Sequence, residues 1–451
     1  MKHNAPRLLL GGTGSGCGKT TVTLALLRAW QRQGIPLAAF KCGPDYIDPM
    51  FHTAVLGVPS RNLDLYFMEE TQVCAALARR IPLDGLGVVE GAMGFYDGVS
   101  GTTDTASAAH LARAAAIPAV LIVRPKGQSL SLAAELHGFR TFAKNTLAGV
   151  ILNGVSAAMY PFYRTIAERS GLRVYGFLPP VAEAAIPDRH LGLVTAAEIE
   201  DLQYRLDRLA DTAEQGLDLD GLAELARTAP PLEEHPEQML PTVSPPVRIA
   251  VAQDSAFCFY YADNLERLAS LGAELVRFSP LEDALLPEGV DGLYLGGGYP
   301  ELYAERLAAN VSMRESVRGA IARGLPAIAE CGGFQYLHRT LNGYPMAGAL
   351  PLDAHISDRL QPFGYVELTA AQDNLLCRKG ERIRAHEFHY GVSSDAGDGF
   401  TACKPNGRTW PCAYVTDTLY AGYPHLYFGS NPDFAGNFVQ KCAAWRKQHD
   451  T

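Results

Sequence analysis

Short apolar runs alternate with helical patterns along the first half of the chain. The runs 8–10, 37–40, 87–89, 119–123, 149–152 and 174–177 are rich in Val, Ile and Leu and lack polar alternation. Strands covered on both faces read this way. Between them the spacing predicts helices over 20–33 and 129–144, and charged, leucine-rich helices over 197–226. The repeated strand–helix order predicts a parallel, doubly wound sheet. Pro230, Pro231, Pro236, Pro241, Pro245 and Pro246 then crowd together with Glu233, Glu234 and Glu237. Proline removes backbone donors and the charges resist burial, so this stretch is expected to be an extended linker. The alternation restarts with strands expected over 247–252, 274–278, 292–295 and 327–329, and helices over 264–270 and 314–323. The expectation is two tandem α/β domains, 1–240 and 241–451.

Length agrees, since 451 residues exceed the roughly 150 of one domain. With 47% hydrophobic and 19% charged residues, a disordered chain is excluded. The formal charge of −9 leaves no global basic footprint, so no nucleic-acid partner is expected. No apolar run reaches the roughly 18 residues of a membrane span, and the apolar run after Pro6 is too short for a signal peptide core. A cytoplasmic protein with no membrane partner is expected. Of the nine cysteines none forms a C-x-x-C pair. Eight are read as reduced structural thiols, and Cys331 is the exception.

Gly11-Gly12-Thr13-Gly14-Ser15-Gly16-Cys17-Gly18-Lys19-Thr20-Thr21 follows a strand and opens a helix. Gly14, Gly16 and Gly18 let successive N–H groups turn inward around a phosphate chain. Lys19 is expected on the β/γ-phosphates of ATP and Thr20 on Mg²⁺, with Thr21 beside them. Thr13 stands where the usual loop has its first glycine. Lys41-Cys42-Gly43-Pro44-Asp45-Tyr46-Ile47-Asp48-Pro49 sits just past the next strand. Lys41 is expected near the phosphates, and Asp45 and Asp48 are candidate metal ligands. Asp45 alternatively holds the Gly-Pro-Asp turn, and Asp48 is read as a surface-facing site group. Glu90 ends a strand where a phosphate-loop enzyme makes its second magnesium contact, followed by Gly91-Ala92-Met93-Gly94-Phe95-Tyr96-Asp97-Gly98.

In the second half, Ala329-Glu330-Cys331-Gly332-Gly333-Phe334 reads as strand, sharp turn and helix. A thiol on such an elbow is a candidate nucleophile, and the helix N-terminus is expected to favour its thiolate.

The three N-terminal clusters, in this order, resemble the cobyrinic acid a,c-diamide synthase family, and the first domain is similar to dethiobiotin synthetase, which shares threonine at the place of Thr13. The second half resembles class I glutamine amidotransferases. That resemblance implies a nucleophile at Cys331 and a base at His425, within Tyr423-Pro424-His425-Leu426-Tyr427-Phe428. It also implies oxyanion donors at the N–H groups of Gly297 or Gly298. Many relatives carry Glu two places after the histidine, where this chain has Tyr427; a Cys–His pair alone is expected. His386-Glu387-Phe388-His389 is also a family segment. His389 is ranked below His425 as the base, and a zinc site is disfavoured. His389, with Asp97 and Asp48, is expected to face substrate or intermediate.

The function so implied is amidation of the a- and c-acetate groups of cobyrinic acid with L-glutamine and ATP. Hydrogenobyrinic acid and a sirohydrochlorin-type tetrapyrrole are the alternative acids. A reading from another class is a regulatory or partner ATPase with an inactive glutaminase-like domain. Such ATPases often carry an early loop lysine, which Gly11, Gly12 and Thr13 do not supply. No pattern fixes an oligomeric state.

Overall fold

The computed structural model describes residues 2–184, 186, 188–189, 192–193, 195–233 and 241–449. The chain divides into two compact units, Met1–Glu237 and Gln238–Thr451. No helix among the described residues is long and apolar enough to cross a membrane.

In the first unit the strands are β1 (Arg7–Gly12), β2 (Leu37–Cys42), β3 (Arg61–Leu63), β4 (Leu86–Glu90), β5 (Ala119–Val123), β6 (Leu147–Asn153) and β7 (Arg173–Leu178). They form one sheet in the order β3-β2-β4-β1-β5-β6-β7. Every pairing in it is parallel. Each predicted run is found, one to two residues longer at most ends. The apolar side chains on both faces are buried because helices cover both, including α1 (Lys19–Arg32) and α2 (Ile47–Leu56). The charged stretch near the end of the unit forms Leu202–Gly216 and Leu219–Arg227. Helix α2 was not expected; the sequence there reads as a turn.

The expected linker is only partly a linker. Leu232–Glu233 pairs antiparallel with Lys2–His3. Pro236, Glu234 and Glu237 lie outside the described residues.

In the second unit the strands that matter are β8 (Val247–Ala252), β9 (Ala273–Phe278), β10 (Gly292–Leu295), β11 (Ala327–Glu330), β12 (Gly364–Ala370), β13 (Arg382–Glu387), β14 (Phe400–Cys403), β15 (Thr409–Cys412), β16 (Tyr414–Val415), β17 (Leu419–Gly422) and β18 (His425–Leu426). One sheet runs β9-β8-β10-β11-β17-β16, parallel except for its last pair. A second, antiparallel sheet runs β15-β14-β12-β13-β18. Only the parallel strands up to β11 were expected. A buried cluster joins the two sheets, with Val251, Tyr294 and Ile328 of the first against Val366, Ile383 and Phe400 of the second.

Candidate functional site

In the first unit the candidate site lies at the C-terminal ends of the three central strands. Strand β4 runs between β1 and β2, so the register sets Glu90 beside both Leu10 and Lys41. The phosphate loop then leaves β1 and the Asp45–Asp48 segment leaves β2, as ligand-binding groups do in parallel sheets. Gly16 and Gly18 have φ of 75° and 93°, the left-handed region that glycine enters freely. A Cβ on Gly18 would also fall 1.9 Å from Nδ2 of Asn153. That amide donates to the Cys17 carbonyl at 2.8 Å and braces the loop from the end of β6.

Lys19 Nζ bridges the loop, donating to the carbonyls of Gly14 (3.0 Å) and Met93 (2.6 Å). Burial lowers its pKa. Thr20 Oγ1 lies 2.7 Å from Glu90 Oε1 and 3.3 Å from Asp48 Oδ1, and Thr21 is half-buried in the same turn. Lys41 Nζ uses all three donors, on Asp48 Oδ2 (2.5 Å), Glu90 Oε1 (2.9 Å) and the Gly91 carbonyl (3.2 Å). Burial alone would lower Lys41, but Asp48 and Glu90 outweigh it and hold the ammonium firmly protonated. Burial alone would likewise raise Glu90, yet Lys41 and His52 hold it well below the usual carboxylate range. Asp48 is pushed up by burial, with Asp45 and Glu90 adding.

Two expectations change here. Asp48 is buried, not surface-facing. Asp45 is drawn into the turn: its Oδ1 accepts the N–H groups of Ile47 (2.7 Å) and Asp48 (3.1 Å), which opens α2. The cluster therefore gathers Thr20, Lys41, Asp48 and Glu90, with Asp45 at its edge. Asp97 closes the loop after Glu90, its Oδ2 accepting from the Gly94 N–H at 2.7 Å. The hydroxyl of Thr20 with the carboxylates of Asp48 and Glu90 is a hard, all-oxygen donor set. Mg²⁺ takes such a set together with phosphate oxygens.

His52 escaped the sequence reading. Its Nε2 lies 2.8 Å from Glu90 Oε2 and its Nδ1 3.1 Å from Ser60 Oγ, with the ring wholly buried. Asp48 and His52 stand four apart on α2, hence on one helix face. That spacing was the available signal, hidden because the helix itself was read as a turn.

In the second unit, Cys331 leaves β11 with φ 48° and ψ −100°. A non-glycine residue held there costs about 1–3 kcal/mol, so the turn at Cys331 is strained, as the sharp elbow expected from the sequence would be. The turn is pinned by Cys331 N–H on the Gly422 carbonyl (2.8 Å) and Gly333 N–H on the Gly296 carbonyl (2.9 Å). The glycine loop after β10 is pressed between His425 and the Cys331 turn. A Cβ on Gly297 would fall 2.3 Å from His425 Cε1, and one on Gly332 would fall 3.1 Å from the Gly298 nitrogen. The glycine loop thus lies against both, Gly297 beside His425 and Gly298 beside the Cys331 turn.

The thiolate expectation does not hold for the free protein. The helix after Cys331 spans only Gly332–Tyr336, and burial pushes the thiol up, with Glu301 adding. Burial, with His386 and His389 adding, presses His425 down to about 3. Cys331 and His425 thus rest as neutral thiol and neutral imidazole.

His425 lies on β18, paired with His386 of β13. His389 stacks on Tyr423 with centroids 3.7 Å apart, its Nδ1 donating to the Gly391 carbonyl at 2.7 Å. Its Nε2 lies 3.4 Å from Glu387 Oε1. The Tyr427 hydroxyl lies 3.4 Å from Asp263 Oδ2.

Residues 8–194 match the family model of the CobQ/CobB/MinD/ParA nucleotide binding domain. Residues 248–433 match that of the CobB/CobQ-like glutamine amidotransferase domain. The class is therefore a nucleotide-binding domain joined in one chain to a glutamine amidotransferase domain. The chain is 41% identical to the cobyrinate a,c-diamide synthase of Salmonella typhimurium, covering 97% of this chain and 98% of that protein. With the protein of the same name from Thermoplasma volcanium it shares 38% identity over 99% of both chains. The Synechococcus protein of that name is 39% identical over 96% of this chain and 98% of its own. The chain belongs to the cobyrinate a,c-diamide synthase family. Because these relatives align across both units, the reading as a regulatory ATPase loses its ground.

Proposed function

We propose that this protein amidates the a- and c-acetate carboxylates of cobyrinic acid, using glutamine as nitrogen donor and ATP as the activating reagent, and that it does so in the cytoplasm. Residues 1–240 form the synthetase domain and 241–451 the glutaminase. The observation that carries the reading is the strained Cys331 elbow assembled with His425 in a chain that also holds the Lys19–Thr20–Asp48–Glu90 cluster. The family membership supports the choice of acid.

In the glutaminase, His425 takes the thiol proton of Cys331 as the sulfur attacks the side-chain amide carbon of glutamine. N–H groups of Gly297 or Gly298 stabilise the oxyanion. The C–N bond breaks, ammonia leaves with the proton, and water then cleaves the γ-glutamyl thioester, restoring Cys331. In the synthetase, backbone N–H groups at Gly14, Gly16 and Gly18, with Thr21 beside them, cradle the phosphates. Lys19 and Lys41 offset charge on the γ-phosphoryl group as the substrate carboxylate attacks it. Ammonia displaces phosphate from the resulting acyl phosphate, leaving the amide. Thr20, Asp48 and Glu90 would hold Mg²⁺, which supplies charge neutralisation at the phosphates. Asp97 and His389 serve substrate or intermediate.

The test is mass spectrometry of products made with glutamine, ATP and Mg²⁺ from cobyrinic acid, hydrogenobyrinic acid and sirohydrochlorin separately. A diamide from cobyrinic acid, formed faster than from the other two, is expected. Preferential conversion of either other acid, or no amide from any, refutes the assignment.

A further inference from the structure

The missing acid of the glutaminase has a candidate at an unexpected place in the chain, directly before the nucleophile. Glu330 ends β11, and its side chain is 2% exposed. Oε2 lies 3.9 Å from His425 Nδ1 and accepts the Tyr294 hydroxyl at 2.9 Å. Oε1 accepts the backbone N–H of Leu426, the residue after His425, at 2.9 Å. Asn264 completes the clamp, donating from Nδ2 to the Leu426 carbonyl (2.7 Å) and accepting the Phe428 N–H at Oδ1 (2.9 Å). Burying a carboxyl is costly unless it is hydrogen-bonded, and both oxygens of Glu330 are, which fixes Oε2 beside the imidazole. Glu387, the other buried acid nearby, has its Oε1 on His389 instead.

We propose that Glu330 is the positioning acid of the Cys331–His425 pair, holding the His425 ring so that Nδ1 carries the proton and Nε2 is left to receive the one from Cys331. The inference rests on the glutaminase reading above. When the Cys331 proton passes to Nε2, the imidazolium forms beside Glu330, and the 3.9 Å separation closes to a hydrogen bond from Nδ1–H to Oε2, an oxygen that accepts whether or not the carboxyl has ionised. The carboxyl keeps its place and takes no proton from the ring. The Leu426 bond fixes the ring's backbone to the strand that carries the nucleophile, so the register of base and thiol is set by one side chain. In triads of this logic the acid usually comes from the base's own segment or a third element. Here it comes from the nucleophile's strand.

Glu330→Gln separates this role from a packing role. The amide oxygen still accepts the Leu426 N–H, but its NH₂ faces Nδ1 and favours the tautomer with the proton on Nε2. Glutamine-hydrolysis kcat should fall about 10²-fold with KM for glutamine within about threefold. Ammonia-dependent synthesis should stay within twofold of the parent. Alkylation of Cys331 by iodoacetamide, followed by mass spectrometry of its peptide, should slow in Glu330→Gln but show no further slowing when Glu330→Gln is added to His425→Asn. Wild-type kcat, an equal extra effect in the His425→Asn background, or loss of the unit's melting transition in Glu330→Gln each overturns the proposal. The underlying reading fails separately, if Cys331→Ser or His425→Asn still hydrolyses glutamine at the parent rate.

Discussion

Replacing Lys41 by methionine keeps the length of the side chain and removes its charge. The side chain is 3% exposed, and its ammonium lies 2.5 Å from Asp48 and 2.9 Å from Glu90, which is itself wholly buried. Removing one member of a buried ion cluster costs about 3–5 kcal/mol, because the partners stay behind without compensation. The loss is limited by protonation. Asp48, already pushed up by burial, takes up a proton while Glu90 stays ionised beside His52. In a unit of this size about 1 kcal/mol moves the midpoint by roughly 2–4 °C, so Lys41→Met should lower melting by about 10 °C in the absence of divalent ions. Added Mg²⁺ should recover part of that drop and stabilise the variant more than the parent, since the vacated charge leaves the two carboxylates to the cation. The assay is calorimetry of both proteins with chelator and with Mg²⁺, alongside ammonia-dependent synthesis, which should be lost. A midpoint within 1–2 °C of the parent without Mg²⁺ would refute the cluster as the element holding these strand ends together. So would an equal Mg²⁺ shift in both proteins.

Cys331→Ser should abolish glutamine-dependent synthesis and spare ammonia-dependent synthesis, because a hydroxyl is a far weaker nucleophile than a thiol and the other unit is untouched; glutamine-dependent product at the parent rate would exclude Cys331. Asp45→Ala removes the acceptor of two N–H groups at the start of α2 and should cost about 1 kcal/mol, read as a lower melting point with nearly unchanged rate per folded molecule. Asp48→Asn should lower the ammonia-dependent rate more than tenfold and also lower the melting point, since its carboxylate is paired with Lys41; retained activity with lost stability would make it a folding residue only. Burial pushes the Glu330 carboxyl up to about 8, against 4.5 for an ordinary glutamate. Its folded value is the higher one, so its contribution to stability is full below the unfolded pKa and is lost as pH rises through about 8. Glu330→Gln should therefore gain stability relative to the parent between pH 6 and pH 9 in thermal melts, and a pH-independent difference would contradict this.

The central parallel strands were legible because they are covered on both faces and so read as apolar runs. The antiparallel sheet was not, because its strands are half-exposed, and in Gly364–Ala370 buried residues alternate with half-buried ones. The edge strand Arg61–Leu63 is three residues long, too short to show a period. In the candidate sites, residues carried by a motif were readable: Lys19, Thr20, Glu90, Cys331 and His425. Their supports were not. His52, Asn153, Asn264 and Glu330 come from separate elements and meet the motif residues only through the topology. Which of Asp45 and Asp48 joins the cluster also depended on a helix start, since capping by Asp45 is what swings Asp48 onto the face that meets Glu90.

The proposed base and nucleophile stand on different sheets, Cys331 at the end of the parallel one and His425 on the last strand of the antiparallel one. On a ribosome the thiol is therefore made long before its base. The turn at Cys331 is pinned to the Gly422 carbonyl, so turn and histidine are completed together by the last strands of the chain. A chain cut short before these strands lacks both the pinned turn and the histidine. Both halves of this arrangement wait on the same closing strands.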